Sequence, residues 1–379
     1  MRVIVLGAGF GGLELTAKLS EAFGDDTDVV LIDQKDHFVF GFSKLDVMFG
    51  RTTADAVKHR YADVVKPGVQ FVQATIEAIE PTAKRVVTSA GAFEGDVMVV
   101  ALGADLHPED TPGLVEGGHE FYTNDGAFGL RDVLADFPGG RVVVGVTSTP
   151  FKCPPAPSET VLMMDDFLTE RGIRDQSSID LVMPLPRPIP PSPEASAALL
   201  TAFAERGITW HPDTLIRSLD PERKVAVFAD GGELPYDLFL GVPVHKAPPV
   251  VESSGMAVDG WIPVDPYTLE TSYPGVYAVG DVTSVGTPKA GSFSERQAVV
   301  VGDRLIAMVA QGEDTVYDGK GVCYLDMGDG TVAHVEVTFL PGQPPIGTWE
   351  DPTAEAMALK VDFGRSRIKR WFGQDWIPY

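Results

Sequence analysis

The chain has 379 residues, 44% of them hydrophobic, enough for a sizeable core spread over two or three domains. It carries 30 Lys and Arg against 54 Asp and Glu, a formal net charge of −24, which argues against nucleic acid as a partner and against attraction to anionic lipid. The two cysteines, Cys153 and Cys323, cannot build a multi-bridge secreted scaffold. No charged n-region with an apolar h-region precedes the first strand, and no run of about 18 apolar residues suggests a spanning helix, so a cytoplasmic location is the expectation.

In chain order the pattern predicts an α/β protein. Val3–Leu6 is a continuous apolar run, as in a parallel strand covered on both faces. Leu13–Phe23 has helical spacing, with Leu15, Leu19, Ala22 and Phe23 on one side, and Val29–Ile32 is a second strand closed by Asp33. A β-rich stretch follows at 69–74, 85–88 and 96–102. A second βαβ pattern starts at Pro138, with a strand over Arg141–Val146, a helix over Ser158–Glu170 and a strand over Ile179–Met183. Pro184–Pro193 is too rich in proline to be other than an extended loop, and Ser192 or a near neighbour caps a helix over Glu194–Glu205. Strands return over 225–240, a short apolar segment spans Gly275–Asp281, and Glu295–Val309 is helical. From Val322 the reading is strands and then a short basic-aromatic end.

The first turn carries the clearest chemistry. Gly7-Ala8-Gly9-Phe10-Gly11-Gly12 fits G-x-G-x-x-G, follows a strand, opens a helix and is followed by Asp33 at the spacing of roughly 20 residues that a dinucleotide fingerprint requires. Gly7 permits the tight turn, Gly9 admits the pyrophosphate, and Gly12 lets helix and strand pack closely. The helix N-terminus then faces the phosphates, and Asp33 accepts from ribose hydroxyls. The second βαβ unit has no such loop. Its strand runs into Thr147-Ser148-Thr149-Pro150-Phe151-Lys152-Cys153-Pro154-Pro155, where prolines remove the amide donors a phosphate needs. That half should bind no pyridine nucleotide, and a cysteine stands there instead. Lys152 and the prolines suggest an ordered, electropositive loop that lowers the Cys153 pKa. The plain alternative is a small buried hydrophobe at both Cys153 and Cys323.

Three further segments carry a family resemblance. Val99-Val100-Ala101-Leu102-Gly103-Ala104 resembles the strand-end signature of two-dinucleotide-domain flavoproteins, and Gly275-Val276-Tyr277-Ala278-Val279-Gly280-Asp281 resembles their second FAD signature. Phe151-Lys152-Cys153-Pro154-Pro155-Ala156-Pro157, Cys323-Tyr324, Pro243–Pro248 and Pro288–Gly291 resemble segments of sulfide:quinone oxidoreductases and of the flavoprotein subunit of flavocytochrome c sulfide dehydrogenases. The resemblance covers essentially the whole chain. It implies two Rossmann-like domains with the FAD domain split in sequence: 1–106 and 250–318 for FAD, 107–249 for the domain with Cys153, and a small α+β domain over 319–379 with Cys323.

The resemblance also implies roles. Cys323 is the flavin-proximal thiol and Cys153 the one that takes up sulfur, with Glu159 as acid/base and Lys289 beside the flavin pyrimidine edge. Gln34, Lys35, Ile76, Ala101, Gly103, Gly280 and Asp281 join Gly7, Gly9, Phe10, Gly11, Gly12 and Asp33 as candidate FAD contacts. The implied donor is sulfide or a related small sulfur nucleophile, and the acceptor quinone or a soluble carrier. The chain departs from some relatives. It has no third cysteine, no cysteine over Phe38–Phe49 to attach FAD covalently, no C-x-x-C-H for haem and no histidine in the proline loop, so FAD should be non-covalent. An NAD(P)H-dependent flavin or quinone reductase and a non-catalytic redox-sensing subunit are the alternatives. The tail Arg365–Phe372 with Trp376, Ile377 and Tyr379 suits a membrane interface that admits quinone, or docking on its own body or on a partner subunit, a second copy included. Docking is preferred.

Overall fold

A computed structural model describes residues 1–310 and 314–378; Tyr379 of the predicted tail lies outside them. Two five-stranded, all-parallel sheets form the frame. In the first the spatial order is Val276–Ala278, Val97–Val100, Arg2–Leu6, Asp28–Asp33, Val69–Gln73. In the second it is His119–Glu120, Leu238–Val242, Arg141–Val146, Ser178–Val182, Ile208–His211. Their central strands are apolar without alternation because helices and loops cover both faces, as parallel sheets require. Each sheet has an appended three-stranded antiparallel meander, over 76–94 and 216–235. A two-stranded ribbon, Asp105–His107 with Val244–Lys246, links the two halves.

The helix Phe10–Phe23 buries Leu13, Leu15, Ala17 and Leu19 and packs against the long helix Gly291–Ala310; Ala22, expected on the buried side, is exposed. Gly12 makes the close approach between strand and helix: a Cβ there would lie 1.9 Å from the Gly7 carbonyl oxygen. The proline loop is a series of bends that ends at Ser192, whose hydroxyl accepts from the Ala195 amide to cap the helix Pro193–Glu205.

The C-terminal region corrects the sequence reading. Strands Lys320–Asp326 and Val332–Thr338 form a hairpin, and two short strands, Ile346–Gly347 and Glu350–Thr353, also pair with the second of them. The expected short basic-aromatic end is a 19-residue helix, Ala354–Phe372, capped by Thr353 and closed by Gly373 at φ 71°. It docks on the first domain. The Trp371 indole donates to Glu14 at 2.9 Å, the Trp376 indole to the Ala56 carbonyl at 2.9 Å, and Arg367 and Arg370 pair with Glu295, Glu14 and Glu21. Arg367, Lys369 and Arg370 of the basic run are thus paired with the protein's own acids. No described helix is long and apolar enough to cross a membrane.

Candidate active site

A cleft of about 1370 Å³ runs between the two sheets and under the C-terminal hairpin. One end is the Gly-rich turn. Gly9 has nothing within 4 Å of where a Cβ would be, so it presents bare backbone to the cleft. It is also the N-cap of Phe10–Phe23 with no side-chain acceptor, which leaves the first amides of that helix available to an anion. Phe10 and Gly11 line this end, whereas Gly7 and Gly12 shape the turn from behind it. Asp33 lines the wall, its two oxygens accepting from the amides of Ala8 at 2.7 Å and Lys35 at 2.9 Å. Gln34, Lys35 and Ile76 extend the same wall, and Ala101 and Gly103 face it from the neighbouring strand end.

Asp281 and Lys289 lie at the middle. One carboxylate oxygen of Asp281 is buried without a partner in the protein, an acceptor held open at the cleft. Burial raises its pKa, and Lys152, Lys289 and Lys44 oppose that. Lys289 donates to the carbonyls of Asp281 at 2.5 Å and Thr283 at 3.3 Å, and its ammonium sits 3.3 Å from the centre of the Trp261 ring. Burial brings its pKa down to about 8. A cradle of bare backbone, an uncapped helix start and an unpartnered buried carboxylate fit a dinucleotide. Gly9, Phe10, Gly11, Asp33 and Asp281 are the residues that would hold FAD.

The two cysteines border the same cleft. Cys153 sits at φ 46°, with its amide donating to the Lys289 carbonyl at 2.7 Å, so the second sheet's loop is tied to the first domain. Its own carbonyl accepts from the Ala156 amide, which starts the helix Ala156–Glu170 three residues on. Cys323 is on Lys320–Asp326, a strand fixed to the helix Gly291–Ala310 by hydrogen bonds between the Ser292 hydroxyl and the Val322 backbone. Both thiols are free and border the cleft. Glu159 joins the two elements: its Oε1 accepts from the Asp326 amide at 2.9 Å, three residues past Cys323. Burial lifts the Glu159 pKa to about 7.

The expected low pKa of Cys153 is overturned. Both thiols border the cleft, and burial drives Cys153 well above its ordinary value and Cys323 up to about 12, with Glu159 adding to both. Lys152, the neighbour in sequence, does not serve the thiol. Its ammonium turns away and donates to the Ala104 carbonyl at 2.5 Å. The cation that lowers the Cys153 pKa is Lys44, from the short helix Ser43–Met48. His245 has a structural place: Nδ1 is 2.8 Å from the Pro243 carbonyl, the ring is edge-on to Tyr122, and burial pushes its pKa to about 3.

Residues 1–302 match the family of pyridine nucleotide-disulphide oxidoreductases. The chain belongs to that family. It is an FAD-binding oxidoreductase. It is 25% identical over 355 residues to the mitochondrial sulfide:quinone oxidoreductase of Mus musculus, covering 89% of this chain and 78% of the relative. The corresponding protein of Dictyostelium discoideum is 25% identical over 340 residues, covering 85% and 74%. The crystal structure of the sulfide:quinone oxidoreductase from Aquifex aeolicus superposes with a TM-score of 0.87 at 22% identity, over 98% of this chain and 91% of that one. Within this member of the family, Lys44, Tyr122 and the buried Lys360–Asp326 pair, 3.1 Å apart, are site features that sequence reading missed. Phe38–Phe49 drew notice in the sequence only for its lack of a cysteine, and the fold brings its Lys44 to the cleft that Cys153 borders.

Proposed function

We propose that the protein oxidises sulfide, or a related small sulfur nucleophile, through Cys153 and Cys323, and delivers the electrons to quinone. The observation that carries the reading is that these two cysteines, 170 residues apart in the chain, border one cleft together with Glu159, which accepts from the Asp326 amide three residues past Cys323. The named relatives are sulfide:quinone oxidoreductases over most of their length, which supports the same donor and acceptor.

In this reading the oxidised pair is a disulfide, direct or bridged by sulfur. HS⁻ attacks the Cys153 sulfur, the bond to the Cys323 side breaks, Cys153 keeps a persulfide and Cys323 leaves as a thiolate. Closure of the Cys323 thiolate onto the Cys153 persulfide restores the sulfur-bridged pair and releases two electrons, for which bound FAD would supply the acceptor and the route onward to quinone. Glu159, with a pKa of about 7, holds a proton near neutrality and gives or takes it at the sulfur or at the acceptor. The prolines at 154, 155 and 157 stiffen the Cys153 loop and remove amide donors, which leaves NAD(P)H without its phosphate seat. Asp281 and Lys289 hold the cofactor's polar groups, and the C-terminal hairpin contributes Val322, Cys323 and Tyr324 to the cleft wall. We assign the domains as 1–106 with 250–318, 107–249, and 319–379.

Anaerobic titration with sulfide tests this. One equivalent should bleach the flavin absorbance, and a quinone analogue should restore it. A flavin that sulfide leaves oxidised, while NADH bleaches it, would overturn the reading.

A further inference from the structure

We infer that Arg51 is a positioning residue of the sulfur site: together with the buried carboxylate of Asp326 it pins the strand of Cys323 to the helix that follows Cys153, and so fixes how the two thiols meet. The inference rests on the sulfur chemistry proposed above and deepens it.

The turn of the C-terminal hairpin lies along the helix Ala156–Glu170 and meets one face of it at Glu159, Leu162 and Asp166, three and four residues apart. The Asp326 amide donates to Glu159 Oε1 at 2.9 Å. Gly328 packs flush on the next helical turn, where a Cβ would lie 2.5 Å from the Leu162 carbonyl oxygen. Arg51 arrives from the turn just past the short helix Ser43–Met48. Its guanidinium donates to Asp326 at 2.8 Å, to the Gly328 carbonyl at 3.1 Å and to Asp166 at 3.5 Å. One planar fork therefore grips both the hairpin and the helix.

Asp326 is the hub. It is 0% exposed, and the oxygen that takes Arg51 also takes Lys360 of the C-terminal helix at 3.1 Å, while its other oxygen accepts from the Gly328 amide at 3.0 Å. Burying such a network costs desolvation that an apolar cluster of the same shape would avoid, so stability alone does not account for it. What it adds is direction, because each charge-assisted bond fixes an orientation. Cys323 stands three residues before Asp326 on one strand, and Cys153 three residues before the helix begins. A register fixed at Asp326 is carried to both thiols by regular backbone. A disulfide needs its Cα atoms within about 7 Å, and the narrower the range of approach, the higher the effective concentration of one thiol at the other.

The test uses the FAD-loaded full chain, without sulfide, in anaerobic glutathione buffers. The Cys153 and Cys323 thiols give two electrons and two protons to one glutathione disulfide, which leaves as two glutathione thiols while the protein disulfide forms. The equilibrium constant, read by mass spectrometry after thiol blocking, measures that effective concentration. Arg51→Met should lower it roughly tenfold. Arg171→Met is the control for a purely structural loss: this arginine holds the Leu134 and Phe137 carbonyls at 2.7 and 2.8 Å at the far end of the same helix, and its removal should leave the constant unchanged. Equal constants for wild type and Arg51→Met, or an equal fall in Arg171→Met, overturn the inference. Should Arg51→Met lose FAD, Arg51→Lys decides. It keeps a cation for Asp326 without the fork that reaches Gly328 and Asp166, and should still lower the constant; a wild-type value overturns the inference. A wild-type chain that forms no Cys153–Cys323 disulfide is a separate result, which overturns the sulfur reading and the inference with it.

Discussion

Arg2–Leu6 and Arg141–Val146 hold the same position, each the middle strand of a five-stranded parallel sheet, and each runs into a turn that opens a helix on the cleft. Ligands of open α/β sheets bind at this carboxyl end. After the first strand the turn is glycine, and bare amides meet the cleft at Gly9. After the second strand the helix start has Pro155 as its cap and Pro157 in its first turn, and the loop offers a thiol where the first offers phosphate donors. The same frame was kept and its turn rewritten, from holding an anion by backbone to presenting a nucleophile by side chain.

The largest effect should come from making the first turn unlike itself. Gly9→Leu finds open space in the protein, so the fold should survive, yet its side chain fills the pyrophosphate's approach. FAD affinity should fall by on the order of 1000-fold, about 4 kcal/mol, read by fluorescence titration of the apoprotein. FAD bound as in wild type would break the comparison. Acid precipitation of the wild type should release its flavin, since Phe38–Phe49 has no cysteine to attach it covalently.

The second turn is broken at its thiol. Cys153→Ser and Cys323→Ser should each slow sulfide-dependent flavin reduction by roughly 100-fold or more, and the double variant should be little worse, because groups that share a step lose activity together. Stopped-flow traces report this; losses that multiply in the double variant would mean the two act independently.

A smaller effect is expected from Glu159. Its pKa is about 7 in the folded protein against 4.5 ordinarily. Between those values the unfolded chain releases its proton first, so the folded state loses stability as pH rises through the window, by about 3 kcal/mol at most. Glu159→Gln should flatten that part of the pH dependence in urea titrations, and an unchanged slope would show the group ionises normally.

The smallest expected effect is none. NADH should not reduce the flavin at an enzymatic rate, on the order of 10 s⁻¹, because the proline turn offers it no phosphate seat. Reduction at such a rate would mean that the second sheet kept its nucleotide site.

Much of the frame was legible because its signals are local. The parallel strands read as unbroken apolar runs, Gly7–Gly12 sits between strand and helix, and Ser192 caps its helix as its position foretells. The helix Ala354–Phe372 was missed although Thr353 and Gly373 mark its ends. A run of basic residues and Gly364 obscure its pattern, and the glycine is needed because a Cβ there would meet the Trp376 ring at 2.7 Å. The Cys153 pKa was misread because adjacency in sequence was taken for adjacency in space: Lys152 points to Ala104 and Lys44 supplies the charge.

The sequence by itself determined the fold class, the FAD fingerprint, the replacement of the second phosphate loop by a proline-bound cysteine, and the pair of cysteines as candidates. The fold class, the dinucleotide fingerprint and the proline-bound cysteine follow from periodicity, spacing and backbone restriction, which act over a few residues; FAD and the pairing of the cysteines are what the family resemblance implies. Only the tertiary structure decided that Cys153, Cys323 and Glu159 border one cleft, that Arg367 and Arg370 of the basic tail pair with the protein's own acids, and that Lys44 lines the same cleft. Burial and through-space charge set those properties, and both depend on neighbours brought together from distant parts of the chain.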